Sequence, residues 1–539
     1  MGSSATFLHT SSAPPAPVSE DLGTETLRAY AREAFDRWGD RIALVTERER
    51  RTFRELGDRV RRIANLLDHL GAGPDDIVGS LVSPRPEIFY EMWLAKAEHG
   101  AALFGLSPGL LPEDMTKALR SVRPKVVVYD GDHFPKFPAL LEKALPGARA
   151  VAARGPLGDF EGLLPRMSSV ESRNPISGDS LAAIGYTSGT TGRPKGITMT
   201  NRAVAVSCRM LLDSMPGSEG PQRFLTGIPI FAAGSGMIVP CLMSGRTNVI
   251  YDRFDADRAV ASIEQDGIES TFLTPSMLID LLDVPGLDRR ELSSLKRIVY
   301  GSANTPVPKL EEGVRRLGPI FLQGYGMSEL LPPVAVLFPE EHGADGHPAG
   351  REILSSVGRP VAGVTVRIAA EDGTPVPVGE AGEILISSPT VTAGYWRDPE
   401  RTANSFHQGF WRSSDAGYLD LEGRLHVIDR KADVLSRRGR AIYPRYVEEA
   451  CHDHPMVKEA AAVQKTGSEH ITVAVSPRRK FRAGLDTERF QQQVMEFVTA
   501  RLSQEDLPDQ IVVFPEIPRS LQGKVLKREV RDALTARES

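Results

Sequence analysis

Cysteine is scarce in this chain: only Cys208, Cys241 and Cys451 occur in 539 residues. They stand far apart and without metal-ligand spacing, which excludes a disulfide framework and a zinc site. A reducing cytoplasm suits that usage, and a cytoplasmic location is the expectation. Long apolar runs are missing too. No stretch reaches the ~20 residues a membrane span needs, and the best candidate, residues 227–244, is broken by Pro229 and Pro240. No membrane partner is therefore expected. Nor is charge of one sign in excess. A formal net charge of -5 leaves no broad basic field to neutralise phosphates, so nucleic acid is excluded as a partner. Residues 1–20 lack the basic start and apolar core of a signal peptide and read as a disordered tail.

What is present points to a large enzyme. A length of 539 residues exceeds what one hydrophobic core supports, so at least two domains are expected. Leu27, Tyr30, Ala31, Ala34, Phe35 and Trp38 recur at helical spacing and mark a first amphipathic helix. Short apolar runs at residues 126–129, 184–186, 298–300 and 319–321 read as buried strands. Helical stretches such as residues 308–317 lie between them, so the fold class is α/β with mostly parallel sheet. Beyond Arg351 the pattern alternates, with turns at Asp372-Gly373 and Glu422-Gly423, which predicts a β-rich subdomain. The charged segment Asp429-Arg430-Lys431-Ala432-Asp433 then breaks the pattern. It sets the expected boundary between a large N-terminal domain, residues 21–429, and a small α+β C-terminal domain, residues 430–539.

The most informative string is Tyr186-Thr187-Ser188-Gly189-Thr190-Thr191-Gly192-Arg193-Pro194-Lys195-Gly196. Glycines let backbone N-H groups approach an anion, hydroxyls donate hydrogen bonds and lysine adds a full charge, a composition that fits a triphosphate cradle. It is not a Walker A loop, because the Gly-Lys-Ser/Thr ending is absent. By composition alone a surface loop with one solvated lysine fits equally well. A second segment, Gln323-Gly324-Tyr325-Gly326-Met327-Ser328-Glu329, follows a predicted strand, where open α/β sheets bind ligands. There an aromatic ring can stack on a purine and a carboxylate can hold magnesium. A third joins Asp415 to Arg430, a carboxylate and a guanidinium able to grip ribose hydroxyls. A fourth, around Gly523-Lys524, is a glycine-lysine turn before a terminal helix.

The first string resembles the phosphate-binding signature of the adenylate-forming superfamily, which includes acyl- and aryl-CoA synthetases, peptide-synthetase adenylation domains and luciferases. The other segments resemble that family's motifs in the same order, from about Thr24 to the C-terminus. The resemblance implies that Thr187, Ser188, Gly189, Thr190, Thr191 and Lys195 cradle the phosphates of ATP. It also implies that Tyr325 stacks on adenine and that Glu329 binds Mg2+. Ser302, Ala303, Asn304, Gly324, Gly326, Met327 and Ser328 would complete the adenine side, Asp415 and Arg430 would hold the ribose, and Lys524 would serve catalysis. Lys524 lies so far from the cradle in sequence that the C-terminal domain must be mobile and close onto the large one.

The implied reaction is ATP-dependent conversion of a carboxylic acid to an acyl-AMP with release of pyrophosphate, then transfer to CoA. The acyl pocket is expected around Phe231, Ala232, Ser235, Gly301 and the Ser302-Ala303 turn, whose small residues leave room for an aryl or medium-chain acid. Ala232 stands where amino-acid-activating relatives carry an aspartate, which disfavours an α-amino acid. Three further departures concern the second step. Ala232 also replaces a histidine common in CoA ligases, Ala432 replaces the usual hinge residue, and Arg438 replaces a usual glycine. An acyl carrier protein received on Arg437, Arg438 and Arg440 is one alternative acceptor. Nitrite activation to diazotise an aryl amine is another.

Overall fold

The computed structural model describes residues 26–154, 159–187, 195–215, 217, 222–231, 233–465, 467–520 and 523–538. The first helix, Leu27–Trp38, begins where the hydroxyl of Thr26 accepts the Ala29 N-H and buries Leu27, Tyr30, Ala31, Ala34 and Phe35, the stripe its spacing predicts. Among the described residues the strands of the large unit form two main layers. One is nine-stranded, in the order Arg359–Pro360, Ala335–Leu337, Phe321–Tyr325, Arg297–Gly301, Ser270–Leu273, Arg223–Thr226, Thr247–Ile250, Ile42–Val45 and Arg50–Thr52. Its central pairs are parallel. The other is six-stranded, and its last strand, Lys195–Thr200, runs antiparallel to Leu181–Thr187. A five-stranded sheet containing Gly382–Ser387, Phe410–Leu419 and Leu425–Arg430 forms the β-rich part, so Arg430, the first residue of the expected C-terminal domain, pairs opposite Asp415 within the large unit.

From Leu435 onward the chain has cores of its own. One packs Leu435, Val447, Val473 and Phe490, and another packs Ala461, Val463, Phe514 and Val530. They cover a three-stranded sheet of Val457–Gln464, Ile471–Pro477 and Gln510–Val513. This C-terminal unit grips one helix of the large unit, Pro275–Leu282, along its length. Arg478 donates to Asp283, the C-cap of that helix, at 2.8 Å and to Glu312 at 3.0 Å. Lys458 pairs with Asp280 at 2.6 Å. Gly523 abuts Thr274, the N-cap at the other end, so closely that a Cβ on it would lie 2.7 Å from the threonine methyl.

Two buried histidines give the fold an acid limit. His342 donates through Nδ1 to the Phe338 carbonyl at 2.8 Å and accepts the Tyr300 hydroxyl at Nε2, also 2.8 Å. Burial pushes His342 down to about 4, and burial reinforced by Lys309 and Arg519 pushes His452 down to about 3, from an ordinary 6.5. Below 6.5 the unfolded chain takes up protons that the folded chain refuses. The stability these groups contribute is thus whole above pH 6.5 and drains as pH falls toward 4 and 3, by about 1.4 kcal/mol per pH unit for each. We expect the thermal midpoint to fall steadily between pH 6.5 and 4.5, and His452→Gln to flatten that slope. A midpoint independent of pH over this range would contradict the buried, neutral assignment.

Candidate active site

The strands Arg297–Gly301 and Phe321–Tyr325 run parallel, and their register sets Gly301 beside Gly324 at the C-terminal ends. A Cβ on Gly301 would lie 2.5 Å from the Gly324 carbonyl oxygen, so only glycine permits this approach. A Cβ on Gly324 would enter open space. The pair therefore makes a tight backbone floor with a clear volume above it. Ser302, at φ 70, turns the chain away at once, leaving Ala303 half-buried and Asn304 exposed. The strand begins at Phe321 rather than Pro319, because Gly318 ends the preceding helix at φ 82 and Pro319 has no N-H to give a ladder. Gln323, Gly324 and Tyr325 are thus the strand's own last residues.

Tyr325 and Asp415 meet directly, the tyrosine hydroxyl donating to Asp415 Oδ2 at 2.7 Å. Antiparallel pairing of Phe410–Leu419 with Leu425–Arg430 sets Arg430 opposite Asp415, Nε to Oδ1 3.8 Å. Burial raises the Asp415 carboxyl above its usual range, while Arg430 and the Tyr325 hydroxyl oppose the rise. Ser414, at φ 62, occupies a left-handed position that favours glycine, and Ser413 accepts the Asp415 N-H at 3.0 Å, which holds the turn. Sequence reasoning predicted a stacking ring at Tyr325 but missed its hydroxyl contact with Asp415, for which a separation of 90 residues gives no local signal.

Gly326, Met327, Ser328 and Glu329 continue from Tyr325, all half-buried. Lys195 opens the strand Lys195–Thr200. Its ammonium lies 5.2 Å from the centroid of the Tyr395 ring, whose hydroxyl donates to Glu329 Oε1 at 3.3 Å. Burial holds the Lys195 ammonium below the usual lysine range, Glu329 opposing and Arg401 and Arg430 reinforcing. Thr187 closes the strand Leu181–Thr187. Ser188, Gly189, Thr190, Thr191 and Ala232 lie outside the described residues. Phe231 packs half-buried against the core that holds Ile230 and Ile238, and Ser235 sits in the short turn Ala233–Met237.

Lys524 arrives from the opposite unit on a hairpin. Ser520 N-H donates to the Lys524 carbonyl at 2.8 Å, Gly523 N-H returns to Ser520 at 2.8 Å, and Gly523 adopts φ 81. Arg519 braces the turn by donating to the Gly523 carbonyl and by pairing with Glu459 at 2.6 Å. The charges acting on the Lys524 ammonium are those of Arg430, Asp415 and Glu329. Burial and then Arg430 lower its pKa, while the two carboxylates oppose. The hairpin thus brings Lys524 within electrostatic reach of Arg430, Asp415 and Glu329.

Two of the three arginines of the basic segment 437–440 are paired. Arg437 donates to the Leu507 carbonyl at 2.8 Å and pairs with Asp509, and Arg440 pairs with Glu505 and Asp506. Arg438 and Gly439 make the left-handed turn, at φ 52 and 75, between Leu435–Arg437 and Arg440–Ile442. No helix among the described residues is long and apolar enough to cross a membrane.

The chain is similar to known proteins over most of its length. A family model described as AMP-binding enzyme matches residues 31–396. A medium/long-chain-fatty-acid–CoA ligase of Mycobacterium tuberculosis is 29% identical over 517 residues, 92% of this chain and 88% of that one. A feruloyl-CoA synthase of an Amycolatopsis species is 31% identical over 486 residues, 89% and 93% of the two chains. The solved structure of an amide bond synthetase from Marinactinospora thermotolerans superposes with a TM-score of 0.80 at 28% identity, covering 94% of this chain and 99% of that one.

Proposed function

The chain belongs to the AMP-binding enzyme family, and from that premise we propose that this AMP-forming ligase activates an aryl or medium-chain carboxylic acid and passes the acyl group to the thiol of CoA. One observation carries the reading: Tyr325 donates to Asp415 at 2.7 Å with Arg430 3.8 Å from the same carboxylate, and the hairpin that seats Gly523 against Thr274 carries a buried Lys524 ammonium that feels the charges of Arg430, Asp415 and Glu329. A substrate carboxylate oxygen attacks the α-phosphorus of ATP, the bond to the bridging oxygen breaks, and pyrophosphate leaves. Lys524 draws the carboxylate and the α-phosphate together and offsets the charge on them, while Lys195 meets the leaving pyrophosphate. Asp415 and Arg430 hold the ribose beside Tyr325. The thiol sulfur then attacks the activated carbonyl, and AMP departs.

Glu329 is the side chain that would hold a magnesium ion arriving with the nucleotide. One carboxylate plus phosphate oxygens is a donor set this cation accepts, and among the described residues no group of three or more His, Cys, Asp or Glu could hold a metal by itself. Bound there, magnesium would neutralise phosphate charge. The acid class rests on likeness to the fatty-acid and feruloyl ligases and on Ala232, which supplies no carboxylate for a substrate ammonium. A carrier-protein acceptor loses support, because Arg437 and Arg440 are already paired. An amine acceptor is the second reading, supported by likeness to the amide bond synthetase.

Pyrophosphate release over a panel of acids tests the reading, with CoA, an amine, a holo carrier protein or no acceptor added. We expect release with aryl and medium-chain acids, none with α-amino acids, and a thioester product with CoA. Amide as the sole product would replace CoA by an amine, release with nitrite and an aryl amine alone would establish diazotisation, and the absence of release with every acid would overturn the reading.

A further inference from the structure

Tyr395 lies outside the motifs that the resemblance covers. It sits on a strap, residues 392–396, that crosses beside Lys195–Thr200. Thr198 N-H donates to the Gly394 carbonyl at 3.0 Å, Trp396 N-H donates to Gly196 at 2.7 Å, and Ile197 bridges Tyr395. The strap is tied equally to the segment that carries Glu329, because Thr392 N-H donates to the Glu329 backbone carbonyl at 2.7 Å. Tyr395 N-H is taken by the Thr402 hydroxyl at 2.9 Å, and its ring leans on buried Trp411 with centroids 5.7 Å apart. Main chain and ring are therefore fixed before any ligand arrives. The side chain extends between two charges, the Lys195 ammonium 5.2 Å from the ring centroid and the Glu329 carboxylate 3.3 Å from the hydroxyl. The Arg401 guanidinium lies 5.7 Å from the same ring.

We propose that Tyr395 is a positioning residue that sets the spacing between Lys195 and Glu329 and keeps them from closing into an ion pair. This inference rests on the reading that these two groups receive the polyphosphate and its magnesium. An ammonium and a carboxylate left free to meet neutralise each other, and the arriving nucleotide would first have to part them. A ring face attracts the ammonium more weakly than a carboxylate does and releases it more readily. The hydroxyl meanwhile orients one oxygen of Glu329 and leaves the other for the cation.

Calorimetric titration of ATP into the full-length protein at a series of Mg2+ concentrations tests this, with steady-state pyrophosphate release alongside. Tyr395→Phe keeps the ring and loses the tether, so the Mg2+ concentration for half-maximal ATP binding should rise about fivefold. Affinity at saturating Mg2+, the KM for the acid and the melting midpoint should stay at their wild-type values. Tyr395→Leu removes the spacer as well and should weaken ATP binding about tenfold even at saturating Mg2+. Glu329→Gln is the reference. If it binds ATP with the wild-type Mg2+ response, the site reading itself is wrong. If it loses that response while both Tyr395 variants keep wild-type behaviour, only the positioning role is overturned. Equal weakening of acid and nucleotide by Tyr395→Phe would also overturn that role, since it would mark a general disturbance.

Discussion

Lys524→Ala should lower the rate of acid-dependent pyrophosphate release by about a hundredfold to a thousandfold, the range for removing one preorganised charge from a transition state. Affinity for ATP should stay within about threefold, because Tyr325, Asp415, Arg430 and Lys195 all belong to the large unit, so the nucleotide keeps its contacts. Transfer of the acyl group from preformed acyl-AMP to its acceptor should survive, since the α-phosphate bond is already made. A variant that releases pyrophosphate at the wild-type rate would contradict the role. Lys524→Arg is the sharper probe. It retains charge, but the planar fork replaces a compact ammonium at the end of a hairpin whose neighbour Gly523 is held against Thr274, so it should rescue little.

Arg478→Met should produce the second large effect. Its guanidinium is only 3% exposed and serves Asp283, itself fully buried, together with Glu312. Removing one partner from such a cluster leaves buried carboxylates uncompensated at a cost of about 3 kcal/mol. Lys480, 3.6 Å from Asp283, offsets part of that cost. The cluster joins the two units, so the loss falls on their docked arrangement rather than on either core. Adenylation should drop by up to about a hundredfold, whereas transfer from preformed acyl-AMP should not drop. Adding Asp283→Asn to Arg478→Met should restore part of the loss, because the uncompensated charge goes with it. Undiminished adenylation in Arg478→Met would show that the docked arrangement does not depend on this grip.

The geometry explains why Lys524 and Arg478 are linked. The helix Pro275–Leu282 follows the strand Ser270–Leu273, so its N-terminus lies at the end of the sheet where ligands bind. The C-terminal unit touches that helix at Thr274 through Gly523, at Asp280 through Lys458 and at Asp283 through Arg478. Gripping both ends fixes the angle at which the Gly523-Lys524 hairpin meets the site. Ion pairs suit such a joint, since charged groups can be rehydrated when the units part, whereas a large apolar face would resist separation.

The candidate site was legible in the sequence as compact strings that resemble the family's motifs. The Gly301 and Gly324 ends, the Asp415 carboxylate and the Gly523-Lys524 turn were picked out by strings of this kind, since by residue type alone each fits a core position or a solvated surface equally well. The α/β class and the β-rich part followed from apolar runs and turn residues. What escaped is non-local. Arg478 lies 195 residues from Asp283 and 166 from Glu312, and no periodicity links them. Tyr395 reads in sequence as one more aromatic after a glycine, and its place between Lys195 and Glu329 emerges only when the strap pairs with Lys195–Thr200. The arginines at 437 and 440 were legible as a basic patch but not as a satisfied one, because their partners Asp509, Glu505 and Asp506 arrive from a distant loop. The strand start at Phe321 was displaced in the sequence reading because Ile320 looks like a strand residue until the Gly318-Pro319 pair is weighed.

The most direct measurement is a crystal structure of the protein with a non-hydrolysable sulfamoyl analogue of the acyl-adenylate. The adenine should lie beside Tyr325, the ribose hydroxyls on Asp415, and the Lys524 ammonium within about 3 Å of an oxygen at the acyl-sulfamoyl junction. An analogue bound away from Tyr325, or a Lys524 that stays out of reach of that junction while the C-terminal unit is docked, would contradict the account.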